Sequence, residues 1–211
     1  MFNLNKESIK SLLVEERKGF TESIELAINL KDIDMANAKN RIDADIILPK
    51  GKGRESKIAI FATGELALRS KGAIENIITP ETMDEIFSNK RKSVKYIRGI
   101  DFFLAEASMM PTIGKKLGIY LGPRNKMPRP LPPTVDPTII VSNLKKTVRV
   151  RSKDKATFHV PIGNVTMSEE DILENIDAVI KVIVSKLEHG ILNIRSVYVK
   201  KTMGKSYKVI G

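Results

Sequence analysis

Apolar positions along this chain change their period several times, and each change marks a new element. In NKESIKSLLVEER (residues 5–17), Ile9, Leu12 and Leu13 recur at helical spacing, with Asn5 set to cap the first turn and Lys18 and Gly19 to close the helix. In FTESIELAINL (20–30) the period falls to two. Ile24, Leu26, Ile28 and Leu30 share one face, and Ser23, Glu25 and Asn29 share the other, which is the pattern of a half-buried strand. A polar loop, KDIDMANAKNR (31–41), leads to a second strand at ADIILP (44–49).

KGKGRESK (50–57) is glycine-rich and charged, and reads as a linker. Beyond it the style changes. KIAIFAT (57–63) and IDFFLAEA (100–107) are continuous apolar runs, the signature of parallel strands covered on both faces. Between them ENIITPETMDEIFSN (75–89) supplies a helix, with Thr79 as cap and Pro80 in the first turn. Another helix follows around PTIGKKLGIYL (111–121). Residues 58 to about 150 thus read as one βαβ-type domain, and RSKDK (151–155) as a second charged linker.

The last third returns to the first style. KATFHVPIG (155–163) is a strand, and MSEEDILENIDAVIKVIVSKLEHG (167–190) is the clearest helix. Ser168 caps it with Asp171 three residues on, and Gly190 ends it. Ile172, Leu173, Ile176, Val179, Ile180, Ile183, Val184 and Leu187 form its buried stripe. RSVYVKKTM (195–203) then completes a β-α-β unit. The strands at the two ends of the chain need a common sheet. The expected fold class is therefore α/β in two parts. An α+β first domain, residues 1–51 and 153–211, carries a split β-α-β sheet formed by both termini. A doubly wound, Rossmann-like α/β second domain, residues 52–152, is inserted into it.

Charge adds a functional direction. The chain has 211 residues, 36 Lys+Arg against 25 Asp+Glu, and a formal net charge of +11. A sequence pI near 9.7 is the footprint expected of a nucleic-acid binder; basicity that only keeps a protein soluble is the alternative. Cysteine is absent, which removes disulfides, thiolate metal sites and thiol nucleophiles together. Apolar runs such as IAIFA (58–62) fall far short of the roughly 18 residues of a membrane span. MFNLNKESIK (1–10) lacks the layout of a signal peptide. A cytoplasmic protein without a membrane partner is expected.

Enzyme chemistry finds little support. His159 and His189 are the two histidines, and His189 adjoins the glycine ending the long helix, where a histidine suits the helix dipole. No phosphate-loop or dinucleotide fingerprint occurs. The glycines of residues 114–123 suit turns and close packing better than phosphate binding. No carboxylate cluster has metal-ligand spacing, so no catalytic residue, metal or cofactor is expected. LGPRNKMPRPLPPT (121–134) has five prolines and reads as a stiff, solvated loop. It is either a structural connection or an arm presenting Arg124, Lys126 and Arg129 to phosphates or a protein.

SVYVKKTMGKSY (196–207) starts as a regular strand and breaks at a glycine among lysines. One face carries Ser196, Tyr198, Lys200 and Thr202; the other carries Val197, Val199, Lys201 and Met203. Hydroxyls suit the 2′-hydroxyls of RNA, Lys200 and Lys205 supply attraction to phosphates, and Gly204 permits close backbone approach. A solvated hairpin whose lysines blunt an edge strand is the other reading.

The segment SVYVKKTMGKS closely resembles the C-terminal signature of the ribosomal protein L-one family. FTESIELAINLKDID looks like the family's first strand, ATFHVPIGN like its re-entry strand, and KKLGIYLGPRNKMPRP like its middle-domain loop. The likeness runs in order over nearly the whole chain, and INLKDID and RNKMPRPLPPT are nearer the archaeal form than the bacterial one. It implies a first domain from both termini, an inserted second domain, and linkers acting as a two-strand hinge. It also implies a non-enzymatic protein of the large ribosomal subunit, monomeric when free. Its partners would be large-subunit ribosomal RNA at the mobile stalk, exit-site tRNA whose release it assists, and its own messenger RNA, whose translation it represses. By motif match, the RNA contacts would be Phe20, Ser23, His159, Ser196, Thr202, Met203 and Gly204, joined by Lys200 and Lys205, with Glu22 and Glu25 in support. Arg124, Lys126 and Arg129 would make a secondary RNA or tRNA contact. Asn164 departs from the lysine of many bacterial members, and Lys200 and Lys201 replace residues commonly uncharged there, adding electrostatic affinity. The competing reading is a phosphate- or nucleotide-using enzyme built on the inserted domain.

Overall fold

The computed structural model describes residues 5–15, 19–132 and 136–210; Lys18 at the proposed helix end and Pro133 and Thr134 of the proline-rich run lie outside them. The chain divides into two compact units, residues 1–55 with 146–211 and residues 56–145.

The first unit opens with helix α1 (Lys6–Val14), where the Asn5 carboxamide oxygen accepts from Glu7 N and Ile9 and Leu12 are buried. Strand β1 (Ser23–Leu30) buries every second residue, Ile24 to Leu30. Strand β2 (Asp43–Ile47) follows. The glycine-rich segment after it is pinned rather than free. Asn175 accepts from Lys50 N and donates to Gly51 O, and Asn164 Nδ2 donates to Gly53 O at 3.0 Å. Gly53 has φ +76°, and a Cβ there would lie 2.4 Å from Asn164 Cγ, so conformation and space both require glycine.

The second unit contains β3 (Ile58–Phe61), α2 (Gly64–Ser70), β4 (Asn76–Ile78), α3 (Pro80–Phe87), α4 (Lys90–Gly99), β5 (Phe102–Glu106), α5 (Met110–Leu121), β6 (Arg129–Leu131) and α6 (Pro137–Lys146). Its sheet is parallel throughout, in the order β4-β3-β5-β6. Alternate residues of the buried strands face opposite helix layers. Phe61 and Phe103 pack with α3, α4 and α5, while Ile60 and Leu104 pack with α2 and α6. Strand order reverses between β3 and β5, so the unit is doubly wound. Helix α3 starts where its cap predicts, at Pro80 behind the reciprocal cap of Thr79 and Thr82, and residues 76–78 ahead of it form β4. One reading needs correction. The proline-rich run is not wholly a solvated loop, because Arg129–Leu131 is an edge strand with Leu131 fully buried. Pro130 is tolerated at an edge, where no ladder donor is needed on the open side.

The chain then returns through β7 (Thr147–Arg151), which pairs antiparallel with β2. The segment read as the end of the insert therefore belongs to the first unit, and Arg151 is strand rather than linker. TVRVR alternates as a half-buried strand should, with Val148 and Val150 inward. Strand β8 (Thr157–Asn164), helix α7 (Glu169–Lys186), strand β9 (Ile194–Lys201) and strand β10 (Ser206–Ile210) complete the unit. The sheet order is β10-β9-β1-β8, all neighbours antiparallel. β8 and β9 flank β1 and so run parallel to each other, with α7 crossing between them: a split β-α-β. The inward residues of these strands join Ile9, Leu12 and the α7 stripe in one core.

Candidate nucleic-acid interface

One sheet face of the first unit is packed on helices, so the other carries whatever the sheet presents. The register sets that face out in rows. Asn29 lies between Thr157 and Ser196; Ala27 lies between His159 and Tyr198, and Tyr198 faces Lys208; Glu25 lies between Pro161 and Lys200, and Lys200 faces Ser206. Thr157, His159, Pro161, Ser206 and Lys208 are exposed, while Glu25, Tyr198 and Lys200 are half-buried. Ser196 differs from expectation. It is 8% exposed and accepts a hydrogen bond from Asn29 Nδ2 at 3.0 Å, so a neighbouring strand covers the hydroxyl that alternation had turned outward.

At the end of β9 the chain makes the turn 202–205, about the glycine at which the strand pattern breaks, into β10. Every amide of this turn is occupied. Thr202 N donates to Ser23 O at 3.0 Å and Gly204 N to Lys201 O at 3.1 Å. Met203 N donates to Glu22 Oε1 at 3.3 Å and Lys205 N to Glu15 Oε1 at 3.1 Å. The Thr202 hydroxyl adds a bond to Ser23 O at 3.1 Å. Met203 is left 68% exposed and Phe20 55% exposed; large apolar groups in the open suit stacking or van der Waals contact with a base. With its amide donors used internally, the turn cannot cradle a phosphate. It offers side chains and carbonyl oxygens, and a 2′-hydroxyl can donate to a carbonyl where a phosphate oxygen cannot.

Ser23, Thr202, Met203, Gly204 and Lys205 thus meet at one end of the sheet, beside Lys200. His159 stands in the row of Ala27, about 14 Å along β1 from Ser23, and Ser196 in the row of Asn29, about 20 Å along, at ~3.4 Å per residue. Lys201 does not add surface charge. It is 1% exposed, and its ammonium donates to Glu15 O at 2.7 Å. Asn164 is likewise committed, holding Gly53 and accepting from Thr166 N and Oγ1. Sequence reasoning missed Glu15, because nothing in a helix-end glutamate announces a partner 190 residues away.

In the second unit, Arg124 donates to Tyr120 O and Arg129 stacks 5.1 Å from the Phe102 ring centroid. Lys126 is not presented to a phosphate. Its ammonium lies against the carbonyls of Ile97, Arg98 and Ile100 at the end of α4, and burial pushes its pKa below the usual lysine value. At the strand ends where the sheet order reverses, Glu106 accepts from Thr63 N, Thr63 Oγ1 and Ser108 Oγ. That crevice of about 230 Å³ is lined by residues 63–66, Arg69 and Glu106, so a carboxylate faces the place where such sheets hold ligands and disfavours an anionic one there. Among the described residues no three His, Asp or Glu side chains gather as a metal site, and no helix is long and apolar enough to cross a membrane.

The sequence pattern described as the Ribosomal protein L1p/L10e family matches residues 9–205. The chain belongs to this family. It is 48% identical over 202 residues to the large ribosomal subunit protein uL1 of Methanocella arvoryzae, covering 95% of each chain. The uL1 protein of Picrophilus torridus is 46% identical over 205 residues (97% of this chain and 96% of that one), and that of Pyrococcus horikoshii 46% over 197 residues (92% and 89%). These relatives are ribosomal proteins and not enzymes, so family membership and the carboxylate lining the switch-point crevice both weigh against the nucleotide-using alternative.

Proposed function

We propose that this chain is a structural protein of the large ribosomal subunit, cytoplasmic as part of the ribosome, that binds large-subunit ribosomal RNA through the open sheet face and the turn 202–205. The observation that carries this is the turn: all four of its amides are donated within the protein while the side chain of Met203 stands exposed in the chain between Lys200 and Lys205. A prearranged loop pays little ordering entropy on binding. Shape and 2′-hydroxyls supply specificity, and the lysines supply counterion release. At the mobile stalk near the tRNA exit site the second unit would move about the paired connections and help release deacylated tRNA, with Arg124 and Arg129 as its contacts and Lys126 as a structural cap. The same face would hold a similar fold in the protein's own messenger and repress its translation, and the free protein would be a monomer.

Filter binding of the intact chain to a stalk-type ribosomal RNA fragment across salt concentrations tests the reading. Met203→Ala is expected to weaken specific binding by about 1–3 kcal/mol, the scale of a good base contact, with an unchanged melting temperature because the side chain is exposed. Thr202→Ala is expected to lose a similar amount plus about 1 kcal/mol of stability, for its bond to Ser23 O. A DNA strand of the same sequence should bind only generically. Equal binding of RNA and DNA, or of wild type and Met203→Ala, would sink the proposal.

A further inference from the structure

Gly204 is a glycine for a reason its backbone does not supply. Positive φ among the described glycines occurs at Gly51, Gly53, Gly64 and Gly190, and not at Gly204, so the conformation of residue 204 is open to any L-residue. Space is the constraint. A Cβ at 204 would stand 2.6 Å from Glu15 Oε2 and 3.0 Å from Lys201 Cβ. Glu15 is the residue just beyond α1 and reaches across to this turn by three routes. Its Oε1 accepts from Lys205 N, its carbonyl accepts from the buried Lys201 ammonium, and its Oε2 lies buried against Gly204 with no hydrogen-bond partner among the described residues. Glu22, 1% exposed, holds the neighbouring Met203 N from the other side.

A carboxylate is an unexpected group to find here. A negative charge beside Lys200 and Lys205 weakens the attraction of the whole face for phosphates. Its contribution to binding must therefore be geometric, through the amide it holds and the space it fills. We propose that Glu15 is the positioning residue of the RNA-reading turn: it fixes the Lys205 end so that Met203 is presented in one arrangement, and together with Lys201 Cβ it fills the space a side chain at residue 204 would need. The consequence is a split effect. Loss of Glu15 should lower affinity for the specific RNA while leaving affinity for unrelated RNA equal or higher. A residue needed only for stability would lower both.

This inference rests on the reading of the turn as the RNA contact, so the test includes a readout that needs no RNA. Wild type, Glu15→Ala, Glu15→Gln, Gly204→Ala, Met203→Ala and the Glu15→Ala/Gly204→Ala double variant would be compared in full-length protein. Hydrogen exchange of the Lys205 amide comes first: protection should be lost in Glu15→Ala and kept in Glu15→Gln, whose carboxamide oxygen still accepts. Filter binding to the stalk-type fragment and to an unrelated RNA of equal length follows. Glu15→Ala should cost about tenfold for the specific fragment alone, the scale of one charge-assisted hydrogen bond, and Glu15→Gln less than about threefold. Gly204→Ala should cost more than about tenfold in the wild-type background and distinctly less once Glu15 is alanine, because the nearer obstruction is gone while Lys201 Cβ at 3.0 Å remains; residues in contact couple in this way. Unchanged Lys205 protection in Glu15→Ala overturns the geometry. A loss of specific binding in Met203→Ala with none in Glu15→Ala, or equal losses for both RNAs, overturns the positioning role alone. Unchanged binding by Met203→Ala overturns the reading of the turn itself, and the positioning role with it.

Discussion

Asn175 stands on the buried stripe of α7, where its neighbours Ile172, Ile176 and Val179 are apolar. It is fully buried and makes three hydrogen bonds: it accepts from Lys50 N at 3.1 Å and donates to Gly51 O at 2.7 Å and Ile162 O at 2.8 Å. One carboxamide therefore ties the segment after β2 to β8 and to the helix. Alanine would leave an amide and two carbonyls without their partner. At roughly 1–3 kcal/mol for an unsatisfied buried group, partly relieved by water at the more open Lys50 end, Asn175→Ala is expected to destabilise the first unit by about 2–4 kcal/mol. Urea unfolding followed by circular dichroism would measure it, and a change under 0.5 kcal/mol would mean that the contacts are replaceable. A polar residue on an otherwise aliphatic helical stripe is a legible signal, because periodicity alone puts residue 175 inside. Two of its three partners are not legible, since they sit about 125 residues earlier in a stretch whose composition reads as a linker. Lys201 repeats the lesson. Alternation after Val197 and Val199 places it on the core side, but not the α1-end carbonyl that receives its ammonium.

At the scale of elements, strong periodicity was readable and short or edge elements were not. β1, β8 and α7 have long, regular patterns and lie where those patterns put them. β4 and β6 are three residues each, too short to show a period, and one holds a proline. Their strand character comes from the ladder offered by β3 and β5 rather than from their own residues. Where β3 and β5 end, one carboxylate joins them. Glu106 accepts from Ser108 Oγ at 2.6 Å, Thr63 Oγ1 at 2.7 Å and Thr63 N at 3.2 Å. The Ser108 and Thr63 hydroxyls hold its carboxyl below its ordinary value of 4.5. A folded value below the unfolded one means that ionised Glu106 favours the folded unit. That contribution is complete above about pH 4.5 and disappears as pH falls through the lower folded value. Glu106→Gln should flatten this part of the acid response: wild type and variant should differ in urea midpoint at pH 6 and converge toward pH 3. The Thr63 amide proton, followed by NMR, should titrate with Glu106 in the wild type alone. A gap that stays constant down to pH 3 would show that the carboxylate's charge is immaterial.

At the scale of the whole molecule, two separate interiors explain how one chain can carry two units with different strand chemistry. The core beneath the open sheet face draws on residues 9–48 and 148–209, whereas both clusters of the doubly wound unit lie within residues 58–144. Among the described residues, none buried in the first core comes from the insert. The two connections to the insert leave the first unit as hydrogen-bonded neighbours, because Leu48 N donates to Lys146 O directly beyond the β2–β7 ladder. The alternation style of the chain made the insertion legible, but its edges were misjudged: β7 looked like the end of the insert because its partner, β2, lies about a hundred residues away. Deleting residues 56–145 and joining Glu55 to Lys146 through a short glycine-serine link should therefore leave a cooperatively folding first unit. Every residue at the turn 202–205 and every bond that holds it, including those from Glu15 and Glu22, remains in that shortened chain. Its specific RNA affinity should stay within about tenfold of the intact protein, about 1.4 kcal/mol, with a smaller salt slope if Arg124 and Arg129 touch phosphates in the full chain. The isolated insert should bind RNA only generically. A shortened chain that folds, as judged by its unfolding transition, yet loses specific binding more than a hundredfold would assign recognition to both units together and displace the turn from the centre of the interface.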